Sequence, residues 1–224
     1  MTASGTADPR ASAYAETMMA FILRLRSRGL RDQRVLNAVS SLPRPLFVLP
    51  EHAGLAWADH ALPIHCGQTI TPPVLAATIA QRLEIGPDQR VLEIGTGSGY
   101  LTAVLARLAQ RVLTLDRWRT LISEADQRLR TVDVLNVTMM VADGSRGWPE
   151  EGPFDRIVCT AALPTLDPRL VAQLSEDGRL VAPIGERGAD QRLICLTKKA
   201  DGAQESVIGS VRVTAIEPGV AEAL

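Results

Sequence analysis

Near the start of the chain, apolar residues recur at helical spacing: Tyr14, Met18, Phe21, Ile22 and Leu25 form one stripe. That stripe predicts a first amphipathic helix over about 13–27, closed by Arg28-Gly29. A short second helix starts near Asp32 and carries Val35, Leu36 and Val39 inward. Periodicity then lapses from Leu42 to Thr71, a stretch punctuated by Pro43, Pro45, Pro50 and Pro63. A connection this long inside a compact domain usually serves function.

Beyond Thr71 the pattern becomes an alternation of helices and short apolar runs. Helices are expected at about 73–83, 98–109, 119–131 and 167–175. Strands are expected at 90–94, 111–115, 137–141, 155–159 and 179–183. Runs such as Val112–Leu115 and Arg156–Cys159 are almost continuously apolar, as parallel strands covered on both faces require. The order implies an α/β fold with a doubly wound, mostly parallel sheet. At the end, 193–197 and 207–213, joined by a turn at Asp201-Gly202, read as an antiparallel hairpin on the sheet edge. The chain therefore divides into a disordered lead-in (1–12), a helical N-terminal cap with a substrate-side loop (13–71) and an α/β core (72–224).

Composition narrows the chemistry. Among 224 residues, 24 Lys and Arg face 25 Asp and Glu, a net charge of −1. Such balance argues against a protein that coats nucleic acid or an anionic membrane. The total hides a split: residues 1–50 hold seven Arg against three acids, with Arg24, Arg26, Arg28, Arg31 and Arg34 on and just after the first helix. Their bland reading is a solvated helix face. Three cysteines, Cys66, Cys159 and Cys195, lack the spacing of a metal knuckle or a disulfide framework, so no metal is expected and a cytoplasmic, reducing location is. The first dozen residues lack the basic start and apolar centre of a secretory signal. A monomer is expected.

The most informative stretch is Val91–Tyr100, VLEIGTGSGY. A strand runs straight into Gly95, Gly97 and Gly99, and glycine there lets the backbone turn sharply and approach a ligand. Such a turn alone is shared by several nucleotide-binding families. Two details narrow it: Tyr100 replaces the third glycine that a dinucleotide fingerprint wants, and Glu93 at the strand end would repel a pyrophosphate while serving a cationic ligand indirectly. Asp116 ends the next strand, 21 residues beyond Gly95, where a carboxylate accepts ribose hydroxyls. Asp143-Gly144 follows the third strand, where an acid can accept from an adenine amino group. Together these features point to S-adenosylmethionine, with Thr96 and Thr160 completing the expected cofactor set.

The acceptor is constrained by what is absent. Thr160-Ala161-Ala162-Leu163-Pro164 offers neither the stacking aromatic nor the amide that holds a nucleobase amine, and Cys159 reads as a buried strand residue rather than a nucleophile. A carboxylate acceptor is ionised already near neutral pH and needs no general base.

At this point a resemblance becomes specific. Residues 60–73, HALPIHCGQTITPP, followed by the glycine-rich turn, resemble the protein-L-isoaspartate O-methyltransferase family, as does RGLRDQRVLNAVSSLPRPLFV at 28–48. The likeness runs in order over roughly residues 15–185. The family's particular Gly-Gln-Thr-Ile-Ser motif reads here Gly67-Gln68-Thr69-Ile70-Thr71. The resemblance implies a Rossmann-like S-adenosylmethionine-dependent methyltransferase. It implies methylation of the side-chain carboxylate exposed when Asn or Asp backbones rearrange to isoaspartyl linkages, a repair of damaged proteins and peptides. It places the active-site hydroxyl on Thr71, with Gln68, Thr69 and Ile70 lining the cofactor and substrate groove. The competing role for Thr71 is that of N-cap to the helix opened by Pro72-Pro73. Two other outcomes stay open: a related carboxylate or small-molecule methyltransferase, or a non-catalytic cofactor-binding module. One departure is plain. After Val211-Arg212 the family's Phe-Val-Pro-Leu is replaced by Val213-Thr214-Ala215-Ile216 with Glu217 following, a change expected to touch the acceptor side and leave the cofactor site unaffected.

Overall fold

Strand β3 (Arg90–Ile94), buried on both faces, sits at the centre of a seven-stranded sheet. It pairs in parallel with β4 (Arg111–Asp116) on one side and β6 (Phe154–Cys159) on the other. Strand β5 (Val137–Val141) closes one edge beyond β4. On the other side β6 pairs in parallel with β7 (Leu174–Ile184). An antiparallel hairpin, β8 (Gln191–Lys199) and β9 (Gly202–Val211), completes the sheet there. The order is β5-β4-β3-β6-β7-β8-β9, so the chain reverses direction across the sheet between β3 and β6. The crevice outside the carboxyl ends of strands at such a switch point is where open α/β sheets bind ligands. The computed structural model describes residues 9–222.

Strand alternation gives the sheet two buried faces. Val91, Val112, Val158 and Val181 point to one, which packs under α3 (Pro73–Leu83), α4 (Tyr100–Ala106) and α5 (Arg119–Thr131). The same apolar cluster takes in α1 (Pro9–Ser27) through Phe21 and Leu25, and α2 (Gln33–Ser40) through Val35, Leu36 and Val39. Leu92, Ile94, Leu113 and Ile157 point to the other face, covered by Leu170 of the short α6 (Pro168–Ala172), Leu163 and Trp148. The mostly parallel α/β sheet, the helical N-terminal elements and the terminal hairpin agree with the pattern in the sequence.

Several boundaries differ. Helix α1 already runs at Pro9, earlier than expected, and Tyr14 on its stripe is exposed while Phe21 and Leu25 are fully buried. Of the lead-in expected over 1–12, residues 9–12 belong to α1 and 1–8 lie outside the described residues. Asp32 caps α2, its Oδ1 accepting from the Arg34 amide at 2.8 Å. The expected helix over 167–175 shortens to α6, and strand β7 begins at Leu174, because pairing of Leu174 with Phe154 claims that backbone for the sheet. The irregular stretch 42–71 contains short 3-10 turns and a two-stranded ribbon of β1 (Leu62–Pro63) and β2 (Thr69–Ile70).

The N-terminal arginines are more than a solvated face. Arg34 donates to the carbonyls of Ile85 (2.6 Å) and Leu108 (2.8 Å), and Arg24 donates to the carbonyl of Trp57 at 3.2 Å. The Arg34 bonds fasten the cap to turns of the α/β core whose carbonyls have no helical or ladder partner, while the Arg24 bond ties α1 to a loop within the cap. Arg28 makes an exposed pair with Asp59, worth little by itself.

Candidate functional site

The turn after β3 passes through Gly95 and Gly97, with φ of +97° and +53°, a region closed to most side chains. It is tied on both flanks. The amides of Gly95 and Thr96 donate to the Leu115 carbonyl at 2.8 and 3.3 Å. From the end of β6, Thr160 donates its hydroxyl to the Gly95 carbonyl at 2.9 Å and lies 3.2 Å from that of Ile94. A Cβ at Gly95 would fall 2.1 Å from the Thr160 hydroxyl. Gly99 answers a different need: a Cβ there would meet the Ala125 side chain at 3.0 Å, so this glycine lets α4 approach α5.

Asp116 lies at the end of β4 with its carboxylate between two amides, Oδ2 accepting from Gly97 at 2.9 Å and Oδ1 from Trp118 at 3.0 Å. Burial raises its pKa, while the amides of Gly97, Trp118 and Arg117 work to keep it charged. The carboxylate faces a solvent-open cleft at the carboxyl ends of the strands. Gly95, Gly97, Gly144 and Thr160 line that cleft, and Gln68, Thr69 and Thr71 form an opposite wall.

The loop carrying that wall is firmly placed. Ile64 donates to the Gln68 carbonyl at 2.9 Å, Gln68 Nε2 donates to the Cys66 carbonyl at 3.1 Å, and His65 Nδ1 lies 2.5 Å from Glu124 Oε1 on α5. Thr71 does not cap α3. Pro72 occupies the N-cap position and no side chain bonds to the first amides, so the Thr71 hydroxyl is not committed to the helix. The N-cap expectation is corrected accordingly: two successive prolines set the helix entry, and Pro73 at its start has no N–H to satisfy.

Besides Gly99, four expected cofactor residues do not line the cleft. Ile70 is buried on β2 opposite Leu62. Thr96 is buried with its hydroxyl 2.7 Å from that of Thr114. Glu93 points away into the core beneath α4, fully buried, with Oε2 accepting from Thr102 (2.5 Å) and Thr114 (2.7 Å). Burial pushes its pKa up to about 8, so at neutral pH it is largely a neutral acid held in the core rather than a charge facing a ligand. The pleat explains this: Glu93 shares the face of Val91, the helix-covered side. Asp143 is the fourth. Its Oδ1 accepts from the Ser145 amide (2.9 Å) and its Oδ2 from the Gly219 amide (2.8 Å). Partial burial opposes its charge, yet the amides of Gly219 and Ser145 hold its carboxyl below the usual value.

The Gly219 contact shows what the sequence concealed. The C-terminal segment crosses the cleft, and Arg212–Glu217 line it alongside Gly95 and Asp116. Ala162 donates to the Thr214 carbonyl and Ile216 to the Ala162 carbonyl, both at 2.8 Å, and Ala221 donates to the Arg117 carbonyl at 3.0 Å. Glu217 joins Arg117 and Arg187 in ion pairs. The expectation that the altered C-terminus leaves the cofactor site untouched is therefore corrected: it is a wall of the same cavity. Trp118 and Leu121 also line the cleft and were missed. An aromatic two residues beyond the carboxylate that ends β4 was the available signal.

The donor set fits S-adenosylmethionine. Asp116 offers acceptor oxygens for ribose hydroxyls, Leu121, Trp118 and Ala142 offer apolar contact for a flat base, and the Gly95–Gly97 backbone leaves close access. Replacing Asp116 with Ala is expected to weaken binding of S-adenosylhomocysteine by about 1–3 kcal/mol through lost hydrogen bonds to a charged group. Calorimetry reads this directly, and an unchanged affinity would remove Asp116 from the contact set.

Cys159 is inert in this setting, since complete burial pushes its pKa up to about 12. Cys66 packs against the apolar core, with its thiol pKa also raised by burial.

Comparison with known proteins gives a consistent picture. The family model described as protein-L-isoaspartate(D-aspartate) O-methyltransferase matches residues 16–216. A protein-L-isoaspartate O-methyltransferase of Parvibaculum lavamentivorans is 44% identical over 203 residues, 90% of this chain and 91% of the relative. One from Xanthobacter autotrophicus is 46% identical over 206 residues, 92% of this chain and 94% of that protein. Among solved structures, a Plasmodium falciparum protein described as such a methyltransferase, in complex with S-adenosyl-L-homocysteine, superimposes with a TM-score of 0.76 at 25% identity. That match covers 88% of this chain and 97% of the other. A second structure of the same description, at 23% identity and a TM-score of 0.79, shares the fold over 91% of this chain and 67% of its own.

Proposed function

This chain belongs to the protein-L-isoaspartate O-methyltransferase family, and from that premise we propose how its cleft methylates isoaspartyl residues of damaged proteins and peptides with S-adenosylmethionine. The cofactor, when bound, supplies a methyl group on a positively charged sulfur. Asp116 holds ribose hydroxyls, and the Gly95–Gly97 backbone and Thr160 shape the floor beneath the reacting groups. Thr71 presents its hydroxyl to the acceptor carboxylate and orients it, with Gln68 and Thr69 beside it. No base is needed, because the acceptor is already ionised. Positioning carries the rate, as in other displacements between held partners.

The observation that supports this reading most is the meeting of two distant motifs in one cleft: Thr71, free of capping duty, faces the same cavity as Gly95 and Asp116. The C-terminal segment forms one wall of that cavity. A monomeric, cytoplasmic repair enzyme is part of the proposal. The three cysteines are free thiols, in keeping with a reducing compartment.

The test is transfer of labelled methyl to an isoaspartyl peptide, with its ordinary aspartyl twin as control. Base-labile label on the isoaspartyl peptide alone is expected. Label on neither, with cofactor binding intact, would overturn the reading in favour of another acceptor or a module without turnover. Within the same assay, Thr71→Ala is expected to lower kcat/KM for the peptide roughly 10- to 100-fold through lost orientation. Its affinity for S-adenosylhomocysteine should stay within about twofold, since Thr71 is assigned to the acceptor. A parallel loss of cofactor binding would contradict that assignment.

A further inference from the structure

Arg44 is fully buried, and among the described residues no carboxylate makes a close ion pair with it, Asp59 acting on its charge only at longer range. Its charge is held by main-chain oxygens and a ring. Nε donates to the Ala56 carbonyl at 2.6 Å and Nη2 donates to the Thr71 carbonyl at 2.7 Å. The guanidinium carbon lies 4.2 Å from the centroid of the Tyr100 ring, which Phe47 meets edge-on at 5.5 Å. Tyr100 is the first residue of α4, directly after the glycine-rich turn. One side chain thus touches three separate segments: the turn at 50–56, the residue assigned to the acceptor, and the helix that leaves the cofactor turn.

Burying a cation is costly, and an apolar side chain of similar volume would fill the space at lower cost. What an apolar replacement lacks is the rigid fork, whose donors sit at fixed separation and direction. Lysine keeps the charge but has no such geometry. The other buried arginine, Arg156, lies elsewhere and donates to the carbonyls of Glu84 and Asp155, away from the cleft.

We propose that Arg44 is a positioning residue for methyl transfer: by gripping the Thr71 carbonyl while stacked on Tyr100, it sets the Thr71 hydroxyl in register with the cofactor turn. The proposal rests on the reading that Thr71 orients the acceptor. It predicts an effect of Arg44 that passes through Thr71 and leaves cofactor binding intact.

The experiment compares Arg44→Lys and Arg44→Met with Arg156→Met, a control for loss of a buried arginine. In the Arg44 variants, hydrogen exchange at the amides of Thr69, Ile70 and Thr71 is expected to quicken at least about tenfold while Gly95–Gly99 are unchanged. In Arg156→Met, exchange at 69–71 is expected to stay as in the parent. Arg44→Lys is expected to lower kcat/KM for the isoaspartyl peptide about 10- to 100-fold, with affinity for S-adenosylhomocysteine within about twofold. Placed in a Thr71→Ala background, it should cause almost no further loss, because residues acting as a unit are non-additive. Equal losses in both backgrounds, or a matching fall in cofactor affinity, would show a general structural role and overturn the proposal. So would unchanged exchange at 69–71, a readout that does not depend on which acceptor the enzyme uses. If Arg44→Met fails to fold, Arg44→Lys decides alone. Absence of isoaspartyl methylation by the parent protein would count against the proposed function, while the exchange measurement still judges Arg44.

Discussion

Gly95→Ala is expected to destabilise the protein by roughly 3–5 kcal/mol, the sum of overpacking and left-handed strain. The reason is local and double. An added Cβ would lie 2.1 Å from the Thr160 hydroxyl, and φ at this position is +97°. Moving Thr160 aside breaks its hydrogen bond to the Gly95 carbonyl, one of the ties that hold the turn to β6. Urea denaturation measures the loss, and S-adenosylhomocysteine binding should fall with it because the turn floors the cleft. A second substitution separates the two causes. Thr160→Ala in the Gly95→Ala background removes the closest clash and leaves the backbone strain, so roughly half the lost stability should return. Gly97→Ala is the contrast. Its Cβ would meet only Ile64 Cδ1 at 3.7 Å, so strain alone remains and a cost of about 1 kcal/mol is expected. Equal costs at Gly95 and Gly97 would show that the Thr160 contact is unimportant.

The second large effect concerns pH. Glu93 is completely buried and its pKa is raised from 4.5 to about 8, by burial first and against the hydrogen bonds from Thr102 and Thr114. A raised carboxyl keeps its proton in the folded state while the unfolded chain has lost it. Its presence therefore lowers stability as pH climbs from about 4.5 towards 8, and the loss levels off above that. Glu93→Gln keeps the shape and an acceptor for both threonines but removes the titration. Between pH 5 and pH 8 the variant is expected to gain on the parent by on the order of 3 kcal/mol. Urea melts at the two pH values give the difference. A constant gap between parent and variant would mean that Glu93 is charged in the folded protein, with a partner that the structure does not show.

The two residues illustrate how sequence and structure divide the explanation. Gly95 was legible, because a strand running into closely spaced glycines and then a helix has few other physical readings. Glu93 was partly legible. Its spacing of two from Val91 places both on one face of a strand, and that face is covered by helices. Read alone, its position at the strand end suggested a ligand-facing charge, since chain position says nothing about which pleat face a ligand meets. Thr71 sat between. The resemblance placed it in the active site and its neighbours suggested a helix cap, and only the coordinates released it from the cap by placing Pro72 there. Asp143 was expected at an adenine. In the structure it lies off the cleft lining and anchors Gly219, 76 residues away, a partner with no signature at its own position.

By itself the sequence determined the elements and their class. Apolar runs bounded by glycine and proline placed β3, β4 and β5 and the helices at 73–83 and 119–131, because burial period and turn chemistry are local properties. It also determined the family, through motifs whose residues are contiguous. Tertiary structure decided what depends on distant segments meeting. The segment Arg212–Glu217 after β9 became a wall of the cleft, Arg34 became a fastening for the cap, and Arg44 came to rest under Thr71. Each of those outcomes hangs on hydrogen bonds between residues tens of positions apart, set by how the cap, the sheet and the tail pack together, and no local pattern encodes that packing.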